Sequence, residues 1–319
     1  MASKKSLRFL CDTSSFESFS IIRFTLLGNN KTKIKFISFN QTLCSMQQKF
    51  VEIGGLTIAY QEKNSSSSRT IFFIHGNSGS SLTWSKQLES SLFSDFRLIA
   101  FDMPAHGMSN ASSDPGKDYS PVMLGKIMAE AVNNLAADHP YILIGFSFGT
   151  NIIGEMLCHN LKPAGIILAG SCVIRSVSDL QTVFLPNPNG NSFFNDPIIP
   201  EALEKLALDC FYLQDSIELE KFKNDFENTK RPFRSKLMEK ASAGEVSDEI
   251  GYLKGMNFYT LIVFGKEDKL VNVDYLDGIP DSTWKKKIHK LQRAGHFVHV
   301  DQSDVFNQLV SNYVIKCLK

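Results

Sequence analysis

The run Tyr141-Ile-Leu-Ile-Gly-Phe-Ser-Phe-Gly-Thr150 contains Gly145-Phe146-Ser147-Phe148-Gly149, a spacing that can make a serine reactive. A serine hydroxyl is a poor nucleophile unless a histidine takes its proton and a carboxylate orients that histidine. Glycine-x-serine-x-glycine between a strand and a helix is the sharp turn that lifts such a hydroxyl clear of a sheet. A Cβ at either glycine would collide with neighbouring backbone in so tight a turn. The apolar run before Gly145 reads as a strand and Asn151-Ile-Ile-Gly-Glu-Met-Leu157 as a helix, which is the required context. The competing reading is an ordinary glycine-rich loop with an idle serine.

A reactive serine in this setting requires an acid and then a histidine later in the chain. Tyr259-Thr-Leu-Ile-Val-Phe-Gly265 reads as a buried strand, and its exit loop carries Glu267 and Asp268. Lys287-Ile-His-Lys-Leu-Gln292 alternates as a short strand and leads into His296. Of the seven histidines, only His296 falls between a predicted strand and a terminal helix. His299 reads as a partly exposed side chain on that helix. Both carboxylates and His296 thus follow the C-terminal ends of strands, the edge along which open parallel sheets hold ligands.

Acyl transfer also develops a negative oxygen that needs preorganised N–H donors. The amide of Phe148, next after Ser147, is placed to supply one. The loop His75-Gly-Asn-Ser-Gly79 is placed to supply the other through Asn77. His75 precedes Ser147 and sits behind that loop, so it reads as a brace rather than a base.

The elements that must position these groups alternate in type. Phe50–Ile53 and Leu56–Tyr60 flank Gly54-Gly55 as a hairpin. Thr70–Ile74, Arg97–Phe101 and Ala164–Gly170 are further apolar strands. Ser120-Pro121 opens a helix with a capping serine and a proline in its first turn, and Val122, Leu124, Ile127, Met128, Ala131 and Leu135 recur at helical spacing. A closing helix follows Asp301, with Val305, Leu309 and Val314 expected on its buried face. Strands alternating with helices predict an α/β fold, a mostly parallel doubly wound sheet covered on both faces.

Taken together, these segments resemble the α/β-hydrolase family in its serine-nucleophile branch, over about 270 residues from Phe50 onward. The resemblance favours Asp268 over Glu267, because Gly265-x-x-Asp268 matches the spacing of the family's acid. Ala105, in Asp102-Met-Pro-Ala-His-Gly107, stands where the family often has glycine. His75 to Trp84 looks like the corresponding loop of haloalkane dehalogenases, which use an aspartate nucleophile. Ser147 implies acyl chemistry instead. The resemblance also implies that the insertion 175–248, proline-broken and then helical, is a mainly helical cap between core segments 49–174 and 249–319. Trp84, Phe146, Phe184, Phe194 and Phe211 are candidate pocket residues, with Phe193 and Tyr212 among the insertion's other aromatics.

The expected function is a serine hydrolase cleaving an ester or related acyl bond of a small, largely apolar molecule, through catalytic Ser147, His296 and Asp268. Thioesterase, lactonase, perhydrolase and C–C-bond hydrolase remain alternatives on the same residues, as does a small-molecule receptor. Phe146 and Phe148 lack the Asn-then-Met flank often seen in C–C hydrolases. No cofactor and no metal are expected, and the oligomeric state stays open. The near-neutral balance of 34 Lys and Arg against 33 Asp and Glu gives no sign of a nucleic-acid partner. No apolar run reaches the length of a transmembrane helix. The six scattered cysteines form no C-x-x-C pair, which points to a reducing, cytoplasmic setting. Residues 1–48 hold seven Lys and Arg against Asp12 and Glu17. They read as a basic extension without packed structure: an organellar transit peptide, or a start placed ahead of Met46.

Overall fold

Five-residue strands that are apolar at every position need cover on both faces, and that requirement organises the chain. The computed structural model describes residues 46–159, 161–279 and 282–318. The expected extension lies outside them except at its end, where Gln47 and Gln48 already belong to a strand. Eight strands form one sheet: β1 (Gln47–Ile53), β2 (Leu56–Lys63), β3 (Thr70–Ile74), β4 (Arg97–Phe101), β5 (Tyr141–Phe146), β6 (Gly165–Ala169), β7 (Leu261–Gly265) and β8 (His289–Leu291). Their spatial order is β1-β2-β4-β3-β5-β6-β7-β8. β1 and β2 are antiparallel additions, and β4 through β8 run parallel. Strands β3, β5, β6 and β7 are buried along their whole length.

The β1–β2 hairpin closes through Gly54 and Gly55, at φ of 56° and 88°. Both lie in the left-handed region that glycine enters without strain. The helix Pro121–Ala136 starts as its sequence predicts: the Ser120 hydroxyl accepts from the Met123 amide, one turn in. Between β6 and β7 lie the helices Pro200–Cys210, Ser216–Asn228, Phe233–Ser242 and Glu249–Lys254. The first two bury only part of their circumference, including Leu206, Phe222 and Phe226.

The closing helix, Ser303–Cys317, corrects one expectation. Val305 is half exposed, and the buried stripe is Phe306, Val310, Tyr313 and Val314. Those four fall at i, i+4, i+7 and i+8, which puts Val305 on the solvent flank. The Tyr313 hydroxyl donates to the Tyr259 carbonyl at 2.7 Å and accepts from the Ile166 amide at 3.0 Å. It thus ties this helix to the starts of β6 and β7. Tyr313→Phe leaves the buried Ile166 amide unpaired and removes the bond to the Tyr259 carbonyl, and is expected to destabilise the protein by about 1–3 kcal/mol. Urea denaturation measures this, and a change under about 0.5 kcal/mol would mean the hydroxyl carries no structural weight.

Candidate active site

β5 ends at Phe146 and the helix Phe148–Met156 begins two residues later, so Ser147 makes the whole turn. It does so at φ 50° and ψ −123°, a conformation that L-residues rarely adopt and that costs about 1–3 kcal/mol. The flanking glycines permit it. A Cβ on Gly149 would lie 2.4 Å from the Ile74 carbonyl oxygen, and one on Gly145 would lie 2.6 Å from the Gly149 oxygen. The turn is then pinned by hydrogen bonds. The Ser147 amide donates to the Ala169 carbonyl at 2.9 Å, and the Thr150 hydroxyl donates to the Ser147 carbonyl at 2.6 Å.

The Ser147 hydroxyl lies 2.8 Å from His296 Nε2, and His296 Nδ1 lies 2.8 Å from Asp268 Oδ2. Asp268 Oδ1 accepts from the amides of Leu270 at 2.8 Å and Val271 at 3.0 Å. Four hydrogen bonds thus form a line in which Nδ1–H faces the carboxylate and Nε2 is left to accept the serine proton. Glu267 is turned elsewhere, its Oε2 accepting from the Ala294 amide. The three side chains predicted to act together are therefore adjacent, and the neighbouring acid is not among them.

The loop between β3 and Trp84 is held by two buried imidazoles. His75 Nε2 accepts from the Met103 amide at 2.9 Å while Nδ1 donates to the Gly76 carbonyl. His106 Nε2 accepts from the Ser78 amide at 3.1 Å while Nδ1 donates to the Pro104 carbonyl. Burial lowers the pKa of both rings, so each keeps the neutral form that accepts from an amide. Ala105, beside His106, takes φ 70°, which is the physical reason for glycine at such a place.

The same loop is tied to the β6–β7 insertion. Asn77 Nδ2 donates to the Phe193 carbonyl at 2.7 Å. Arg234 donates to Ser78 Oγ, to the Phe226 carbonyl and to the Asn195 carbonyl, and it pairs with Asp196 at 2.8 Å. The Ser80 hydroxyl donates to Asp225 Oδ2 at 2.7 Å. Burial, helped by the Asp102 charge, raises the Asp225 carboxyl to about 6.

A cavity of about 260 Å³ opens at Ser147, with Asn77, Phe148 and His296 in its wall. Phe184, Phe193 and Phe194 line it as well. Three expected pocket residues do not. Trp84 is fully buried against Phe73 and His299, and Phe146 packs behind the serine on Phe297 and His299. Phe211 stacks on Phe297 at 4.3 Å, and Tyr212 is exposed. Phe146 alternates inward along a strand buried on both faces, so proximity in sequence to Ser147 does not bring it to the cavity. His299 is likewise corrected. It is fully buried, its Nε2 is 3.0 Å from Thr83 Oγ1, and burial, followed by the proximity of the His296 ring, pushes its pKa down to about 3.

The sequence reading missed Cys172, Asn151 and Glu249 in the cavity wall. Cys172 follows β6, so the strand-end rule that found Asp268 would have flagged it. Its thiol lies 4.0 Å from Ser147 Oγ, and burial raises its pKa well above the ordinary value, which keeps it protonated. Glu249 opens a helix after a break in the βα rhythm, and nothing in its local pattern marks it.

A family model described as the alpha/beta hydrolase family matches residues 71–309. A Klebsiella pneumoniae 2-hydroxy-6-oxononadienedioate/2-hydroxy-6-oxononatrienedioate hydrolase is 22% identical over 83% of this chain and 94% of its own length. A Pseudomonas putida protein of the same name is 23% identical over 77% of this chain and 87% of its own. Among solved structures, the N-acyl homoserine lactonase AidH bound to N-hexanoyl homoserine lactone superposes with a TM-score of 0.78 at 20% identity, covering 85% of this chain and 98% of that one. An Exiguobacterium antarcticum esterase gives 0.68 at 18% identity, covering 84% and 99%. No helix among the described residues is long and apolar enough to cross a membrane.

Asp225 supplies a pH test of the contact between the β3 loop and the insertion. Its pKa is about 6 in the folded chain and about 3.9 in an unfolded one, so the folded state holds more protons between these values. Stability is therefore fully present below about pH 4 and declines as pH rises through about 6. Asp225→Asn removes that decline, and its stability relative to wild type should rise across the interval in urea titrations. A constant difference from pH 4 to 7 would remove Asp225 as the cause.

Proposed function

We propose that this chain, which belongs to the alpha/beta hydrolase family, is a serine hydrolase that cleaves ester bonds through an acyl-enzyme on Ser147. The observation that carries the reading is the unbroken hydrogen-bonded line from Ser147 through His296 to Asp268, opening on an apolar cavity. In this reading His296 Nε2 takes the serine proton as Oγ attacks the substrate carbonyl. Asp268 fixes the tautomer of the ring and stabilises the imidazolium. The Asn77 and Phe148 amides receive the oxyanion, and each such donor lowers the barrier by about 3 kcal/mol. His296 then returns the proton to the leaving alcohol. Water, deprotonated by the same ring, releases the acid.

Residues 175–248 act as the cap in this reading, with Phe184, Phe193 and Phe194 giving the cavity its apolar wall. Such a wall favours short apolar acyl groups. C–C-bond hydrolysis on the same residues is the second reading, favoured by the names of the Klebsiella and Pseudomonas relatives.

Steady-state turnover of p-nitrophenyl esters from acetate to decanoate tests the proposal. Ser147→Ala and His296→Ala are each expected to lower kcat by at least about 10⁴-fold, and Asp268→Asn by about 10³- to 10⁴-fold. Multiple turnover that survives Ser147→Ala would sink it. Faster turnover of a conjugated 2-hydroxy-6-oxodienoate than of any ester would favour the second reading.

A further inference from the structure

Asn151 lies one helical turn beyond Ser147 and lines the same cavity, yet it has no part in the line from Ser147 to Asp268. Its side chain is 8% exposed, and both of its N–H donors are engaged. Nδ2 donates to the Cys172 carbonyl at 2.7 Å and to Glu249 Oε2 at 2.9 Å. Those partners fix which way the amide points. Turned over, it would set Oδ1 against the Cys172 carbonyl oxygen, one acceptor facing another. The partners are themselves held. Glu249 Oε2 also accepts from the Ile174 amide at 2.9 Å, and the Cys172 amide donates to Thr150 Oγ1 at 2.9 Å.

Oδ1 is the atom left over. It accepts from no group among the described residues. It is not one of the sealed unpaired oxygens, such as Glu249 Oε1 and Glu155 Oε2, so it keeps open surface. The helix around it is buried from Gly149 to Met156, which leaves the cavity as the space that this surface meets. Much of the remaining wall is apolar, with Ile174, Leu180, Leu237 and Val246 among its residues. An amide oxygen only accepts, so the group it can pair with is an O–H or an N–H. A hydroxyl meets that need with a single polar atom. An amide N–H would also carry its carbonyl into the apolar wall, at the cost of an unpaired polar group. Four residues of helix rise by about 6 Å, so the hydroxyl belongs a few bonds beyond the reacting carbonyl.

We propose that Asn151 is a specificity residue whose Oδ1 accepts a hydrogen bond from a hydroxyl on the acyl chain of the substrate. The preferred substrate is then a hydroxyacyl ester rather than a plain alkyl ester. This rests on the proposed hydrolysis for the placement of the acyl chain in the cavity.

Equilibrium binding to the Ser147→Ala chain tests the inference without turnover. The ligands are methyl 3-hydroxybutanoate, 3-hydroxyhexanoate and 6-hydroxyheptanoate. Each is compared with the oxo ester and with the unsubstituted ester of the same length. At least one hydroxy ester should bind on the order of tenfold more tightly than both of its partners. The oxo ester matters because a ketone is polar but has no proton to give. Adding Asn151→Leu should abolish the preference. A hydroxy ester that never outbinds both partners, or a preference that survives Asn151→Leu, would overturn the proposal. Should the leucine variant fail to fold, the Asn151 side-chain nitrogen resonance decides by NMR. It should move further with the preferred hydroxy ester than with either partner, and equal movement would overturn the assignment to Asn151. A plain-ester hydrolase that shows no hydroxyl preference would retain the proposed function and lose only this inference.

Discussion

The left-handed backbone at Ser147 is the constraint on which the rest of the site depends. A non-glycine residue at φ 50° holds its conformation only where its surroundings leave no alternative. Here the end of β3 presses on Gly149, the turn of the helix presses on Gly145, and β6 receives the Ser147 amide. Relaxing the turn would require the sheet itself to shift. The strain is offset by the parallel strands on either side, and its product is a hydroxyl held 2.8 Å from His296 without any movement. Preorganisation of this kind is what acyl transfer needs, because the groups need not reorganise as charge develops.

The same principle governs the loop facing the serine. His75 and His106 each accept from a backbone amide, which a protonated ring cannot do, and burial keeps both rings neutral. Asp102 completes the brace by accepting from the Ser81 and Met108 amides. Loop and insertion are then joined through Arg234, whose guanidinium is shared between Asp196, two carbonyls and Ser78. Removing that arginine would leave the Asp196 carboxylate without its cation, with only the Ser235 amide still donating to it, and would cut the bond between Ser78 and the insertion.

Within the cavity the polar groups divide into those aligned with Ser147 and those apart from it. His296 meets Ser147, with which it exchanges the proton in the proposed cycle, and Asp268, which orients the ring. Glu249 is fully buried beside Asn151, and its Oε2 accepts from the Asn151 side chain and the Ile174 amide.

Local pattern determined the sheet strands, the Gly54-Gly55 turn, the Ser120 cap, Ser147 and His296, while the choice of Asp268 over Glu267 came from the family resemblance. Each rests on a short-range rule: five apolar residues in a row, a turn that only glycine enters, a serine between strand and helix. Strand ends in a parallel sheet share one edge, so residues 147, 268 and 296 converge although the chain separates them widely. Which aromatics face the cavity was decided only in three dimensions. Phe146 and Trp84 are close to the site in sequence but belong to the core, whereas Phe193 reaches the cavity from the insertion. His299 shows the same limit, since a helix residue is buried or exposed according to what packs on it. Glu249 marks the boundary most clearly: its protonation depends on burial and on two donors from residues 98 and 75 positions away, and no local pattern encodes either.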